Sequence, residues 1–302
     1  MSGGVGAARL LAGLVRAVEP SDVTAIVNVG DDVELHGLHI NPDLDTITYT
    51  VAGAIDPDRG WGLAGETWHA MDALRRYPAA VTWFNLGDRD LATHLYRTDR
   101  IRAGAKLSTV SQEIADAWAI GLRLLPVTDD RMQTRVTVAG EGEIGFQEYF
   151  VQRHHDVPVT AVRFEGADAA RPAPGVLEAI GSATRVVVAP SNPIVSIDPV
   201  LAVPGVRAAV AARRHDTVAV SPIIAGAALK GPADRLLREL GHQASVVGVA
   251  RLYAPLVATL VIDEVDAEHV DAVEAEGVRC VVAPTIMRGP DEATALAEVL
   301  LA

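Results

Sequence analysis

A chain of 302 residues, 49% of them apolar and with a formal charge of −13, can bury one large or two modest cores and repels a phosphate backbone. No Lys/Arg run offsets that charge, and no apolar run reaches the roughly 18 residues a bilayer span needs, so the reading expects a cytoplasmic protein with no nucleic-acid or membrane partner. Cys280 is the lone cysteine, which excludes disulfides and cysteine-type zinc sites within one chain, and its apolar VRCVVAP setting reads as core.

The chain opens on Gly3-Gly4-Val5-Gly6, directly before the amphipathic pattern Ala7–Ala17. Backbone N–H groups at such a helix start cradle phosphate. Read as Gly4-Val5-Gly6-Ala7-Ala8-Arg9, the turn departs from the dinucleotide fingerprint at Arg9, where a small residue belongs, and it lacks a P-loop lysine. A phosphate turn ordinarily follows a strand, yet only Met1 and Ser2 precede this one. A missing first strand is therefore expected, from a late start or a shortened chain, with a weaker sheet and weaker nucleotide binding.

Strand-length apolar runs recur at Thr24–Val29, Thr184–Ala189, Thr217–Val220, Ser245–Val249, Thr259–Ile262 and Val278–Ala283. Helical patterns lie at Ala7–Ala17, Gly65–Arg76, Val206–Arg214, Pro232–Leu240 and Asp291–Leu300. This alternation predicts an α/β fold with a doubly wound, mostly parallel, Rossmann-like sheet. Gln133–Val151 breaks the rhythm with hairpin-like alternation around Gly140-Glu141-Gly142. Residues 107–180 are accordingly predicted as a helical and β-hairpin insertion in a nucleotide-binding core of 1–106 and 181–302.

The densest chemistry lies in Asn28–Thr46, NVGDDVELHGLHINPDLDT, after the first apolar run. Asp31, Asp32, Asp43 and Asp45 fall where α/β proteins bind ligands, past the carboxyl end of a strand. Carboxylates there hold Mg²⁺ against a diphosphate or accept a proton from a hydroxyl. Asp43 suits a helix cap, and Asp45 suits chemistry. His36 and His39 are lesser ligand candidates. Trp83-Phe84 followed by Asn85-Leu86-Gly87-Asp88-Arg89-Asp90 offers an aromatic platform beside polar groups, or else a capped helix start with an internal Arg89 ion pair. Asp56-Pro57-Asp58-Arg59-Gly60-Trp61-Gly62 reads as a wall close to a ligand. Ala189-Pro190-Ser191-Asn192-Pro193 and Ser221-Pro222-Ile223-Ile224-Ala225-Gly226 place stiff polar loops at two more strand ends, able to meet a purine edge or a phosphate. No nucleophile elbow or zinc motif is present. The residues alone thus point to nucleotide or diphosphate chemistry with a planar ligand.

Taken together, GGVG, NVGDD, HGLHI-x-PDLDT, DPDRGWG, LGDRDLATH, APSNPI-x-SI-x-P and SPIIAGAALKGPAD resemble the 2-phospho-L-lactate transferase family, whose bacterial members act as phosphoenolpyruvate transferases. The matches run in order from residue 3 to about 235. The resemblance implies transfer of a phospho-three-carbon acid from a guanylyl-diphosphate donor to the ribityl hydroxyl of the deazaflavin precursor Fo, with Mg²⁺ present and GMP released. It places Gly3, Gly4, Gly6, Ser191 and Asn192 against the nucleotide and its phosphates, and Asp45 and Asn85 against Fo. Asp45 is also the implied catalytic residue, and Asp45 with Asp56 the implied metal ligands. Asn85 departs from the family's longer polar or basic residue at that position. DPDRGWG resembles actinobacterial members, which favours the enolpyruvyl over the lactyl donor. A homodimer is implied as well. Two rival readings are a non-catalytic nucleotide-sugar-binding regulator, which would not need the PDLDT and LGDRD blocks, and an NAD-dependent oxidoreductase, against which Arg9 counts.

Overall fold

The computed structural model describes residues 1–302. After Met1 and Ser2 come α1 (Gly4–Ala17), β1 (Thr24–Val27), β2 (Val33–Leu35), β3 (Leu38–Ile40), α2 (Pro42–Val51), α3 (His69–Leu74) and α4 (Asp90–Arg102). The middle of the chain holds α5 (Leu107–Ala117), β4 (Arg123–Pro126), β5 (Gln133–Val138), β6 (Gly142–Gly145), β7 (Val159–Glu165) and α6 (Val176–Ser182). It is followed by β8 (Val186–Val188), α7 (Asp198–Ala202), α8 (Val206–Ala212), β9 (Thr217–Val220) and the short hairpin β10 (Ile223–Ile224) and β11 (Ala227–Ala228). The chain ends with α9 (Ala233–Glu239), α10 (Val246–Tyr253), β12 (Thr259–Ile262), α11 (Val270–Glu274), β13 (Arg279–Val282) and α12 (Pro290–Leu301).

The apolar runs build a parallel sheet. β4 pairs with β1, and the other run has the order β13-β12-β9-β8, parallel throughout. Met1 and Ser2 join the two. Ser2 N–H donates to Ile26 O at 2.9 Å, and the Ser2 carbonyl accepts from Asn28 at 3.0 Å. On the other side the Met1 carbonyl accepts from Ala189 at 3.1 Å, and the Met1 amino group donates to Val187 O at 2.7 Å. These two residues bridge in parallel to β1 and fill the place between β1 and β8 where the sequence reading expects a strand to be missing. Every residue of β9 is buried, as in a sheet covered on both faces.

Two expectations change. Ser245–Val249 is not a strand: Ser245 caps α10, its hydroxyl accepting from Gly248 N–H at 3.1 Å, and the apolar residues that follow are helical. A short apolar run does not distinguish a buried strand from a buried helix, and the serine decides it. Within 107–180 the hairpin is present but has a third partner, giving an antiparallel sheet of order β6-β5-β7, while β4 turns back to lie beside β1.

Helix α1 sets the geometry of the site. Its Ala7, Ala8, Leu10, Leu11 and Leu14 are buried, each leucine contributing about 2 kcal/mol, and its charged Arg9 and Arg16 lie off that face. A Cβ on Gly6 would collide with the Pro190 carbonyl oxygen, so only glycine lets the start of α1 approach the loop after β8.

Candidate functional site

The parallel strands deliver their carboxyl ends to one side, and there a cavity of about 690 Å³ opens. Gly3, Gly4, Gly6, Asp45, Asn85, Ser191 and Asn192, dispersed over the chain, all line it. Asp56 does not. Its carboxylate accepts from the N–H groups of Asp58 (3.1 Å) and Arg59 (2.9 Å) and pairs with the Arg59 guanidinium at 2.9 Å, which makes it the organiser of its own turn.

At one end of the cavity lies the start of α1. The Gly4 N–H is taken by Asp43 Oδ1 at 2.7 Å, and Asp43 Oδ2 accepts from the Asn28 amide at 3.0 Å. Asp43 therefore caps a helix, as its sequence position suggests, but the helix is α1 and not its own. Burial pushes the Asp43 carboxyl up to about 6, against the opposing pull of Asn28 and Gly4. Asp31 also lines the cavity, and burial together with the Asp43 charge raises its carboxyl well above the ordinary range. Past Gly4, the first-turn N–H groups of Val5 and Gly6 have no intrahelical acceptor and stay at the cavity wall. The Ser191 hydroxyl donates to Gly3 O at 2.7 Å, and Asn192 Oδ1 accepts from Ile194 N–H at 2.9 Å. These two residues shape the loop as well as facing the cavity.

Sequence reasoning missed the cations of this end. Arg9, Lys230 and Arg288 all line the cavity, and none has a carboxylate partner; Arg9 donates to the Met287 carbonyl at 3.0 Å. The Lys230 ammonium lies so near Gly60 that a Cβ there would sit 2.9 Å from Nζ. Positive side chains collected at the positive end of a helix repel one another unless an anion joins them. Arg9, read first as a departure from a fingerprint, is thus part of the anion-attracting wall. The isolated lysine in ALKGPAD was the available signal for Lys230.

The other end is acidic and aromatic. Asp45 and Tyr49 on α2 face Asp90, His94 and Arg97 on α4. The Tyr49 hydroxyl donates to Asp90 Oδ1 at 2.5 Å and lies 2.8 Å from Thr93 Oγ1. His94 Nε2 faces Asp90 Oδ2 at 3.3 Å without a well-aligned hydrogen bond, and His94 Nδ1 is 3.7 Å from Asp45 Oδ2. Burial raises Asp90, but His94 and Tyr49 outweigh it and leave the carboxyl below its ordinary value. Trp83 and Phe84, edge to face with ring centroids 6.0 Å apart, form the wall beside Asn85. The capped-helix reading of LGDRD is half right. Asp88 caps α3 through the N–H groups of His69 and Ala70, Glu66 caps α4, and Arg89 donates to the Ala64 carbonyl at 2.7 Å instead of forming an internal ion pair.

Asp45, Asp90 and His94 bring ligand atoms within 4.8 Å of one another. Two carboxylates against one guanidinium leave net negative charge, and His94 Nε2 is a buried polar atom without a formed hydrogen bond. The two carboxylates fit a hydrated divalent cation held through their oxygens, and the imidazole is not counted among its ligands. The sequence names Asp45 as a ligand but gives Asp90 only as part of a polar platform or helix start and assigns no role to His94, although LGDRDLATH contains both. His36, bonded to Val81 O at 2.9 Å, and His39 lie outside the cavity.

Fold and cavity together define a doubly wound α/β protein with its site at the carboxyl ends of the strands. A family model described as 2-phospho-L-lactate transferase CofD matches residues 1–287, and the chain belongs to that family. It is 45% identical to a phosphoenolpyruvate transferase of Streptomyces coelicolor, over 100% of this chain and 96% of that protein. To the phosphoenolpyruvate transferase of Nocardia farcinica it is 46% identical, over 95% of this chain and 89% of that one. A solved structure of a upf0052 family member from Bacillus halodurans shares the fold, with TM-score 0.62 at 16% identity over 99% of this chain and 96% of that chain. No single helix is long and apolar enough to cross a membrane.

Proposed function

We propose that this protein transfers a phospho-three-carbon-acid group, phosphoenolpyruvate in preference to 2-phospho-L-lactate, from its guanylyl-diphosphate donor to the terminal ribityl hydroxyl of the deazaflavin Fo. The observation that carries this reading is the two-ended cavity. Unpartnered Arg9, Lys230 and Arg288 stand with the start of α1 at one end, and Asp45, Asp90 and an aromatic wall stand at the other. A polyanionic donor suits the first end and a planar, polyhydroxylated acceptor the second, and the relatives' name, phosphoenolpyruvate transferase, supports the transferred group.

In the reaction the acceptor oxygen bonds to the phosphorus bearing the three-carbon acid, the bridging P–O bond breaks, and GMP leaves with that oxygen. The hydroxyl proton passes to a carboxylate or to solvent. Asp45 accepts a hydrogen bond from the hydroxyl and orients it. The cations of the opposite wall stabilise charge on the bridging and leaving oxygens, so positioning and electrostatics carry most of the acceleration and no covalent intermediate on the protein is needed. Mg²⁺, when bound, neutralises diphosphate charge, and Asp45 and Asp90 are the residues that would hold it. Ser191 and Asn192 are assigned to the guanosine side and Asn85 to the rim of the acceptor end. A cytoplasmic homodimer belongs to the same reading.

Incubating the protein with Fo, Mg²⁺ and, separately, enolpyruvyl- and lactyl-diphospho-guanosine tests it through GMP release and product mass. The expected result is a phospho-acid adduct of Fo, formed faster from the enolpyruvyl donor. Binding of both ligands without transfer would favour a non-catalytic sensor instead.

A further inference from the structure

Arg97 is the largest side chain buried almost completely, at 1% exposure, and it does not line the cavity. Its guanidinium grips both Asp45 oxygens, with Nη2 on Oδ1 and Nη1 3.2 Å from Oδ2. The two Nη1 hydrogens are shared among Asp45 Oδ2, the His39 carbonyl at 3.2 Å and His94 Nδ1 at 3.3 Å. Burying a guanidinium is costly even when it is paired, and here Nε is left with no partner. An apolar side chain would satisfy packing alone, and the fold instead keeps a charge behind the acceptor wall.

We propose that Arg97 is the positioning residue of this site: one guanidinium fixes the Asp45 carboxylate and the His94 ring together, so that two oriented carboxylates, Asp45 and Asp90, meet an incoming hydroxyl. The inference rests on the reading of that end as the acceptor site. Its chemistry is local. A guanidinium only donates, so His94 Nδ1 accepts from Arg97 and the ring hydrogen sits on Nε2, facing Asp90 Oδ2. A carboxylate gripped at both oxygens loses its freedom to rotate but keeps outward lone pairs for a ligand. The three side chains of α4 lie at 90, 94 and 97, one face of one helix, so a single rigid element presents the assembly to α2.

The test uses the full chain with Arg97→Lys, which keeps the charge but loses the fork, and Arg97→Met, which keeps the volume. In wild type, ¹⁵N NMR of the His94 ring is expected to show Nε2–H with Nδ1 unprotonated. A wild-type ring protonated at Nδ1 would overturn the proposal whatever the protein's activity. In the transfer assay Arg97→Met is expected to lower kcat/KM for Fo about 100-fold, the scale of a misplacement near 1 Å, with donor KM unchanged. Arg97→Lys is expected to recover about tenfold of that loss while its His94 pattern becomes mixed. A purely structural role would show as equal losses toward both substrates that follow the melting temperature, and would sink the idea, as would wild-type kinetics in Arg97→Lys. If wild type performs no transfer, the functional reading fails separately, and the His94 ring pattern in Arg97→Lys still decides: a mixed pattern upholds the positioning role, and an unchanged one ends it.

Discussion

The two ends of the cavity handle charge in opposite ways. At the start of α1, Arg9, Lys230 and Arg288 stand without carboxylate partners, and the only anion bound to the helix start is Asp43, on Gly4. Where α2 meets α4 at the cavity, the two carboxylates are engaged by side chains: Asp45 by Arg97, and Asp90 by Tyr49 and His94. Unpaired cations suit a ligand that brings its own negative charge, whereas carboxylates already engaged by side chains suit a hydroxyl to be oriented or a hydrated cation, and not an anion. That contrast is the ground for the proposed assignment of a polyanionic donor to one end and a hydroxylic acceptor to the other.

The sharpest way to break that contrast is at Asp45. Replacing it with alanine leaves Arg97 buried and unpaired, which costs about 3–5 kcal/mol of stability, so loss of activity in Asp45→Ala would mix folding with chemistry. Asp45→Asn keeps the volume and one acceptor oxygen. It is expected to fold with a smaller loss of stability than Asp45→Ala and to transfer about 1000-fold more slowly, with donor binding measured without Mg²⁺ intact. Wild-type turnover in a folded Asp45→Asn protein would remove Asp45 from the acceptor site.

Asp43 tests the donor end through stability. Its carboxyl binds a proton more tightly folded, at about 6, than unfolded, at 3.8. The folded state therefore holds the extra proton between those values, and this group's contribution is most favourable below 3.8 and is lost as pH rises through 6. At neutral pH the ionised, buried Asp43 weakens the fold by an amount on the order of 3 kcal/mol. Asp43→Asn removes the titration. Urea midpoints of the two proteins at pH 4.5 and 7.5 should therefore shift in the variant's favour with rising pH. A gap that stays constant would mean that Asp43 does not titrate above the ordinary carboxylate range.

Much of this was legible in sequence, for reasons that differ between fold and site. Strands were legible from apolar runs ending in turn residues, as at Thr217–Val220 and Thr259–Ile262, with Ser245–Val249 the run that proved helical. The first strand was illegible because hydrogen bonds on both sides, and not length, make Met1 and Ser2 part of the sheet. The lining glycines, Asp45, Asn85, Ser191 and Asn192 were legible because each follows a strand or sits in a turn-rich polar block. Arg97 was not, since its partner Asp45 lies 52 positions away and no local pattern encodes that pairing. Its one trace was the spacing 90, 94 and 97, three polar residues on the face of a helix where apolar ones would ordinarily be buried.

A milder test removes one cation from the donor end. Lys230→Ala should raise donor KM about 30-fold, the range of one charge-assisted contact, and leave the KM for Fo unchanged. Raising ionic strength should weaken donor binding in wild type more steeply than in the variant, because the variant has one cation fewer to screen. Equal effects on both substrates would show that Lys230 serves the cavity as a whole.

Asp56 is expected to give the smallest effect, and it separates sequence position from spatial position. Its block follows Asp45 within one loop's length and reads as a metal ligand by resemblance, yet its carboxylate is occupied by Asp58, Arg59 and the Arg59 guanidinium. Asp56→Asn keeps an oxygen for the two N–H groups and loses only a partly exposed ion pair, worth about 0–1 kcal/mol. Arg59 still has the Leu63 carbonyl at 2.9 Å and the faces of Trp61 and Trp68 to hold it. The Mg²⁺ concentration for half-maximal transfer should therefore be unchanged in Asp56→Asn and raised in Asp90→Asn, measured side by side. The reverse order would move the cation from the α2–α4 face to the turn before Trp61, and Asp45 would then be shared between them.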